Sequence, residues 1–581
     1  MSCSSPKAVR RLATRSWAGR ALLLFALPLA VQVWLLAHAP LPALDSVGFV
    51  AMAQAMVRDG VLATVRIDPS PPLFPLLVAL VHELFARLHC IDADDWLLAV
   101  QTTAALPLLA VGPLAYRLFR HSVDEFAALG GAVLTSVVAV IARLGADGLS
   151  DSCSLCGILL ALVLMAEFLA SVNAGRPLKT WQRLLPAGIT LGVSLLCRAE
   201  ANVIVLTFLV SLALQWRWQR RLACGDWARA SAALLLGVGL VVGPFLVVVG
   251  ALRPAEIVER LTGRRGPGGE HVPLNASAAE AAWAQQTAIR PQWRRADGQP
   301  MVFGRRDEAS TARTHGLGWA VYALLRELSQ SLHYVLGLLA VVGLWSRRRT
   351  LDRPIDSLIW TLCALYAIAA PLVAWQRGYL ASRHLLPVVV LALDWAVVGL
   401  SETTDCCLAQ MSKLRGRLPA AGQSRVAQLA ILGLLVAGVF TSTLMPRHAT
   451  RSSHHRAAAW LASSNAHAGA VLDTSGLTGL STGRKTYRNR ATTVALGDPG
   501  LAYVVVEFGE WVAESPRGQT LRELLERFAQ PVGQFAHEKS TADEHAVLVY
   551  EWDAARFADF RAAQPQGEQR LSAIRTSAGL D

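Results

Sequence analysis

The chain has 581 residues, of which 53% are hydrophobic and only 17% charged, and its mean hydropathy is +0.38. A soluble chain is usually about 25% charged, and the shortfall here lies in apolar blocks of about 17–22 residues, the length that crosses a bilayer's hydrocarbon core. The net charge of +13 does not point to nucleic acid, because the Lys and Arg sit in short clusters between the apolar blocks, as in the cytoplasmic loops of membrane proteins.

The N-terminus, "MSCSSPKAVRRLATRSWAGRALLLFALPLAVQVWLLAHA", joins a basic region to an apolar run. The run is longer than a signal peptide's core and many further spans follow, so it reads as a retained first span. After it come apolar segments at 97–116, 126–142, 153–172, 186–198 paired with 201–216, 231–250, 331–345, 357–375, 384–400 and 426–445. Segment 72–88 is ambiguous. The basic clusters are Lys7/Arg10/Arg11/Arg15/Arg20, Arg117/Arg120, Arg176/Lys179/Arg183, Arg217/Arg220/Arg221, Arg347/Arg348/Arg349 and Lys413/Arg415/Arg417. If 72–88 does not cross, all of them fall on one side; if it crosses, the first opposes the rest. The positive-inside bias therefore makes 72–88 an outer juxtamembrane helix. This predicts an all-α polytopic domain over 1–446, with about eleven crossings and a cytoplasmic N-terminus. The first outer loop is 40–95, and a long outer loop runs over 253–315, with Trp283 and Trp293, as a lid.

From Arg447 the character changes. "AVLDT", "AYVVVEF" and "HAVLVYEW" read as buried strands, while "HRAAAWLASS" and "TLRELLERFAQ" have helical periodicity. Residues 447–581 are thus predicted to form a small extracytoplasmic α/β domain. Within it "GLSTGRKT" (Gly479–Thr486) looks like a phosphate loop but lacks the G-x-x-x-x-G-K-[ST] spacing. The nine cysteines suggest no disulfide framework and no metal spacing. Cys153 and Cys156 form a C-x-x-C at a helix start, and Cys406 and Cys407 fall in a predicted loop.

The residues suited to chemistry gather at one membrane face. A helix starting near Asp45 puts Asp45, Phe49, Met52/Ala53 and Met56 on one side. Asp147 and Asp151, in "ARLGADGLSDSCSLCG", crowd the mouth of a later span. Each acid has an alternative role as a helix cap, with Ser150 a rival cap beside Asp151. Two carboxylates from separate segments also suit group transfer: one takes a hydroxyl proton, and the other holds an acceptor or metal or tunes the first. Arg198 and Glu200 in "LLCRAEAN", and Arg377, Arg383 and His384 in "WQRGYLASRHLLP", lie on the same side. Arginine forks suit a departing phosphate; snorkelling is their ordinary alternative. Asp394 lies inside a span, where an acid costs roughly 2.5–3.5 kcal/mol, and no partner is evident.

Taken in order, "DSVGFVAMA" (Asp45–Ala53), "SPPLFPLL" (Ser70–Leu77), "LSD" (Leu149–Asp151), "AGITLGVSLLCRAE" (Ala187–Glu200) and "SRHLLP" (Ser382–Pro387) resemble the GT-C glycosyltransferases, specifically the protein O-mannosyltransferase/aminoarabinose-transferase-like superfamily. The resemblance implies transfer of a sugar from a polyprenyl-phosphate carrier to a hydroxyl of a lipid, glycan or protein, at the outer face of a bacterial inner membrane. It implies Asp45 as catalytic base, Asp151 as second acid and 46–88 as juxtamembrane helices. Arg66, Asp147, Arg198, Glu200, Arg383 and His384 become substrate-binding candidates, and a divalent metal remains an option. Three positions depart from the family pattern: Ser46 where a second acid is common, Phe49 where Tyr is common, and Ser70 where Lys or His is common. Arg66 is a candidate to supply the missing contact. The rival functions are a glycan polymerase or ligase, which should tolerate loss of Asp45 better than loss of Arg383, and a transporter, which needs ionisable groups at mid-bilayer.

Overall fold

The computed structural model describes residues 19–20, 22–39, 41–68, 70–89, 96–174, 181–219, 221–249, 316–348, 354–377, 379–415, 421–445, 451–464, 469–488, 492–513, 516–536 and 546–562. The expected lid at 253–315 lies outside them, as do the basic residues Lys7, Arg10, Arg11, Arg15, Arg176 and Lys179.

Every apolar segment identified in the sequence is helical. The first described helix, α1 (Leu27–His38), continues a π-helical turn at Leu22–Ala26. Then come α2 (Leu44–Asp59), α3 (Val61–Ile67), α4 (Leu73–Arg87), α5 (Leu97–Phe119), α6 (Glu125–Val137), α7 (Ala139–Ala146), α8 (Asp151–Asn173), α9 (Leu184–Cys197), α10 (Asn202–Arg217) and α11 (Cys224–Val248). Beyond the undescribed stretch follow α12 (Leu317–Ser331), α13 (Val335–Arg347), α14 (Pro354–Arg377), α15 (Leu386–Arg415) and α16 (Ala421–Leu444). Among the described residues seven helices are long and apolar enough to cross a membrane, or up to nine if each bent pair, α6–α7 at 44° and α12–α13 at 104°, is one span. Leu22–His38 and Leu184–Cys197 are shorter apolar helices. The chain is a multi-pass membrane protein.

Segment 72–88 forms α4, which at 15 residues is about 22 Å long and too short for a core of about 30 Å. It packs against α2 and α5. Two expectations differ from the fold. The predicted loop with Cys406 and Cys407 is helical, because α15 runs 30 residues without a break. Helix α12, with Arg326, Glu327 and Gln330 along its length, is too polar to register as an apolar segment.

Breaks inside an apolar bundle leave backbone groups that must be satisfied internally. At the α6–α7 break, the Thr443 hydroxyl donates to the Val137 carbonyl (2.6 Å). From α7, the buried Arg143 donates to the last carbonyls of α16, those of Ser442 (2.8 Å), Thr443 (2.9 Å) and Met445 (2.8 Å). The Gln32 and Gln101 amides donate to the Ala142 and Ala146 carbonyls of α7, each at 2.8 Å. Three polar residues that look misplaced in apolar runs, Gln32, Gln101 and Thr443, are thus the partners of one broken helix, and its own Arg143 ties it to the end of α16. Helices α13 and α15 approach backbone to backbone at Gly343 and Gly399, where an added Cβ would lie 2.0 Å from the Trp395 carbonyl oxygen and 1.9 Å from that of Leu339. Small residues allow such close packing between membrane helices.

Asp394 on α15 has partners after all. Its carboxylate lies 3.7 Å from the Arg347 guanidinium and accepts from the Ser122 hydroxyl (3.5 Å). Arg347 also faces Asp356 at 3.6 Å and donates to the Ser122 carbonyl.

The tail forms a mixed sheet with helices. Strands β1 (Ala470–Asp473), β2 (Thr486–Arg488), β3 (Leu501–Glu507), β4 (Ala529–Phe535) and β5 (Val547–Trp552) lie in the order β2-β1-β3-β5-β4. β1 is parallel to both β2 and β3, and β5 is antiparallel to β3 and β4. Helices α17 (Ser452–Ser463), α18 (Thr492–Leu496), α19 (Phe508–Trp511), α20 (Pro516–Phe528) and α21 (Ala554–Ala562) accompany it. The three strands and two helices read from the sequence are present. β2 and β4 were not legible: β2 has three residues, and β4 (AQPVGQF) carries Pro and Gly and is half exposed, as suits an edge.

Candidate active site

Asp45 lies in the first turn of α2 and Asp151 opens α8. Either could cap its own helix, yet neither helix has a side-chain cap: the N-cap positions are Ala43 and Ser150. Both carboxylates reach away to arginines. Asp45 Oδ2 lies 2.5 Å from Arg383 Nη1, and Asp151 Oδ2 lies 2.5 Å from Arg198 Nη1. The cap reading of both acids therefore gives way to ion pairing.

Local breaks in the chain aim the arginines. Arg198 sits between α9 and a 3-10 turn at Ala199–Ala201 with extended backbone (φ −159°, ψ 124°). Its Nε lies 3.1 Å from Glu200 Oε2. Arg383 and His384 occupy a 3-10 turn, Ser382–Leu385, that feeds α15, and Pro387 fits the first turn of that helix because no N–H is needed there. His384 Nδ1 accepts from the Ala381 N–H at 3.4 Å.

These elements converge on a cleft enclosing about 320 Å³, part of it open to solvent, lined among others by Asp151, Arg198, Glu200, Tyr366, Arg383 and His384. Asp45 reaches the same group through Arg383. Asp151 Oδ1 and Arg383 Nε are buried without a hydrogen-bond partner. A buried polar atom left so is costly, which makes both atoms ready to receive a ligand's polar groups. Tyr366, from α14, was missed by sequence reasoning because a tyrosine within an apolar span usually reads as core. Among the described residues no group of three or more His, Cys, Asp or Glu is placed to hold a metal ion; the cleft acids are met by guanidinium groups.

Two candidates lie elsewhere. Arg66 is exposed on α3 and is not part of the cleft lining. Asp147 faces a clamp instead: Arg451 Nη1 lies 3.2 Å from its Oδ1 and also donates to the Pro42 carbonyl (2.6 Å). The departures from the family pattern acquire local reasons. Ser46 is fully buried, and its hydroxyl donates to the carbonyls of Asp147 (2.5 Å) and Gly148 (2.9 Å), fastening α2 to the turn before α8. Phe49 packs edge-on against Phe74, with centroids 5.0 Å apart.

No family model matches the chain, and no curated protein matches it. Solved structures do. ArnT from Cupriavidus metallidurans in the apo state aligns over 94% of this chain and 99% of its own, with 13% identity and a TM-score of 0.54. The same protein bound to undecaprenyl phosphate aligns over 92% and 98%, with 13% identity and a TM-score of 0.51. The chain has a GT-C fold. A more distant GT-C structure, the Archaeoglobus fulgidus oligosaccharyltransferase in complex with Zn and sulfate, aligns over 88% of this chain and 71% of its own, with 12% identity and a TM-score of 0.50. Within the GT-C fold Asp151, Arg198 and Arg383 line one cleft, and Asp45 is joined to it through Arg383.

Proposed function

We propose that this protein is an integral-membrane glycosyltransferase that moves a sugar from a polyprenyl-phosphate donor to an acceptor hydroxyl at the outer face of the membrane. The observation that carries the reading is the cleft: Asp151, Arg198 and Arg383 around a space with unpartnered polar atoms, with a second acid from a separate segment, Asp45, held by Arg383. ArnT, which shares the fold, is known bound to undecaprenyl phosphate, a lipid of the donor's class. The working parts are a transmembrane unit over 1–446 and an extracytoplasmic domain over 447–581, with the N-terminus in the cytoplasm.

The chemistry is a single displacement. The acceptor hydroxyl gives its proton to Asp45, its oxygen forms a bond to the anomeric carbon, and the bond from that carbon to the phosphate oxygen breaks. The electron pair leaves with the lipid phosphate. Asp45 suits the base because its side chain is half exposed, 50% against 1% for Asp151, so an acceptor can reach it. Arg383 suits the leaving group: a phosphate entering the cleft competes for the guanidinium that Asp45 now holds, which frees the base as the donor binds. Donors already in place where charge develops are the strongest form of such stabilisation. Asp151 and Glu200 hold Arg198 in position beside it. The transporter reading is less favoured, since two buried ionisable residues within spans, Asp394 and Arg143, are tied to Arg347 and to the carbonyls at the end of α16.

The test is purified protein supplied with radiolabelled polyprenyl-phosphate sugars and candidate lipid or glycan acceptors, with Asp45→Asn alongside. Transfer by the wild type that Asn abolishes is the expected result. Transfer that survives Asp45→Asn but not Arg383→Ala would move the assignment to a polymerase or ligase.

A further inference from the structure

A second cavity lies away from the cleft, between α2 and the C-terminal domain. It encloses about 570 Å³, part of it open to solvent, and is lined by Gln54 of α2 and by Gly476, Gly479, Leu480, Gly483, Arg484, Thr486 and Arg488. The step from Asp45 to Gln54 carries the side chain about 180° round an ideal helix, so the two sites occupy opposite faces of α2.

The cavity is built rather than incidental. The loop after β1 is fastened by Asp473, which is fully buried and accepts from the Ser475 N–H (3.0 Å), the Ser475 hydroxyl (2.9 Å) and the Gly479 N–H (2.9 Å). Gly476 has φ +80°, and a Cβ there would lie 2.9 Å from the Val47 side chain. Only glycine lets the loop come this close to α2. Arg484 is held by its bond to the Ser464 carbonyl (2.5 Å) and by the face of Tyr503, 5.4 Å away. The neighbouring Lys485 is turned to Asp498 (3.2 Å). Among the described residues the lining holds two arginines, a threonine hydroxyl and an amide, and no carboxylate.

We propose that this cavity binds a phosphate group, either free or carried on a lipid headgroup, and that the bound group bridges α2 to the C-terminal domain. Arginine forks recognise phosphate oxygens in pairs, and the Gln54 amide offers a donor from the opposite wall. The site is not a nucleotide loop. In "GLSTGRKT" the Gly-Arg-Lys-Thr run enters strand β2, whereas a phosphate loop of that class opens a helix. The resemblance to a phosphate loop has an anion-binding reason without the nucleotide geometry.

The experiment uses the full chain in nanodiscs of phosphatidylcholine, titrated with inorganic phosphate and followed by the thermal unfolding midpoint and by calorimetry. Saturable binding is expected. The double variant Arg484→Gln/Arg488→Gln should weaken it about 10- to 100-fold, the range of lost charge-assisted hydrogen bonds. Because Arg484 also supports the fold of its domain, Gln54→Glu serves as the independent variant: it leaves the domain untouched, places a negative charge at the wall, and should weaken phosphate at least about tenfold. Because the proposed function also sets Arg383 against a phosphate in the cleft, the titrations are repeated in an Arg383→Gln background, where the cavity's own binding should persist. Phosphate binding that ignores Gln54→Glu, or that is lost in Arg383→Gln, would overturn the proposal, as would no saturable binding. Repeating the titration in phosphatidylglycerol nanodiscs separates the sources. Competition seen in the wild type and absent in Gln54→Glu assigns the site to a lipid headgroup; phosphate affinity equal in both lipids assigns it to a soluble phosphate. The readout is binding, so it stands apart from the transfer reaction.

Discussion

Two carboxylate–arginine pairs of the same 2.5 Å length meet at one cleft, which Asp151, Arg198 and Arg383 line and Asp45 joins through Arg383, and their surroundings separate them. The Asp45–Arg383 pair has side chains 50% and 25% exposed, while in Asp151–Arg198 they are 1% and 16% exposed. An exposed ion pair contributes only about 0–1 kcal/mol, because water and salt screen it. Removing one partner of a buried pair leaves an uncompensated charge and costs about 3–5 kcal/mol. Identical chemistry thus allows opposite tasks. Asp45 can release its arginine to a substrate at little cost, whereas Asp151 is bound into the fold and serves to hold Arg198 where it is.

The comparison breaks or sharpens first at Asp45. Asp45→Asn keeps the shape but removes the proposed base, so transfer should fall about 10²–10⁴-fold, the range for a positioned general base. The unfolding midpoint should not move measurably. Kinetics and thermal unfolding on one preparation decide this: a large stability loss would mean that Asp45 is structural and that the contrast is false.

Asp151→Ala should show the reverse weighting. It leaves Arg198 with the half-exposed Glu200 as its remaining counter-charge, and stability should drop by up to about 3–5 kcal/mol, read as a lowered unfolding midpoint in detergent. The informative partner is Asp151→Leu/Arg198→Met, which removes both charges; recovery of most of the lost stability is expected, since an apolar pair of similar volume often replaces a buried ion pair without loss. If stability returns but transfer does not, Arg198 acts on the phosphate. If Asp151→Ala is as stable as the wild type, the buried pair is not what holds the cleft.

What was legible in the sequence follows the same physical division. Apolar runs report burial in lipid directly, so the spans could be read, and the positive-inside bias set α4 apart from them, in keeping with its 15 residues. Acids and arginines at span ends marked the cleft, since charge is costly there without a purpose. Partners could not be read. Arg143 meets carbonyls some 300 positions away, Asp394 meets Arg347, and Asp147, named for the site on its nearness to Asp151, turns to Arg451. Proximity in sequence places two acids at one membrane face but not in one cavity, because each reaches whichever cation the tertiary fold brings up. Ser46 was read as a missing acid for the same reason: its burial and its two carbonyl partners are properties of the packed turn.

Arg451 tests how the sheet domain is tied to the cleft. Its guanidinium joins the start of that domain to the Pro42 carbonyl and Asp147. Arg451→Ala should cost about 1–3 kcal/mol, as for a partner removed from part-buried acceptors. Faster amide exchange over 41–47 is the expected mark, with the transmembrane helices unchanged. Exchange that rises everywhere would place Arg451 in the global fold instead of at a joint.

The smallest effect belongs to Ser46. Ser46→Ala removes one hydroxyl from two carbonyls, but the Asp147 carbonyl also accepts from the Ala43 N–H at 2.9 Å. The Asp147 carbonyl keeps that donor while the Gly148 carbonyl loses the Ser46 hydroxyl, and about 0.5–1.5 kcal/mol is the expected cost. Transfer should stay within about twofold, because that energy falls on the fold and not on the reacting atoms. Ser46→Asp is the sharper comparison. It restores the acid common in the family, yet a carboxylate there would face two carbonyl oxygens with no donor of its own, so it should destabilise α2 more than alanine does and bring no gain in transfer. A more active Ser46→Asp would show that the site was built for two adjacent acids and had lost one; a less stable, no more active protein would show that this chain uses the position to fasten the helix that carries its base.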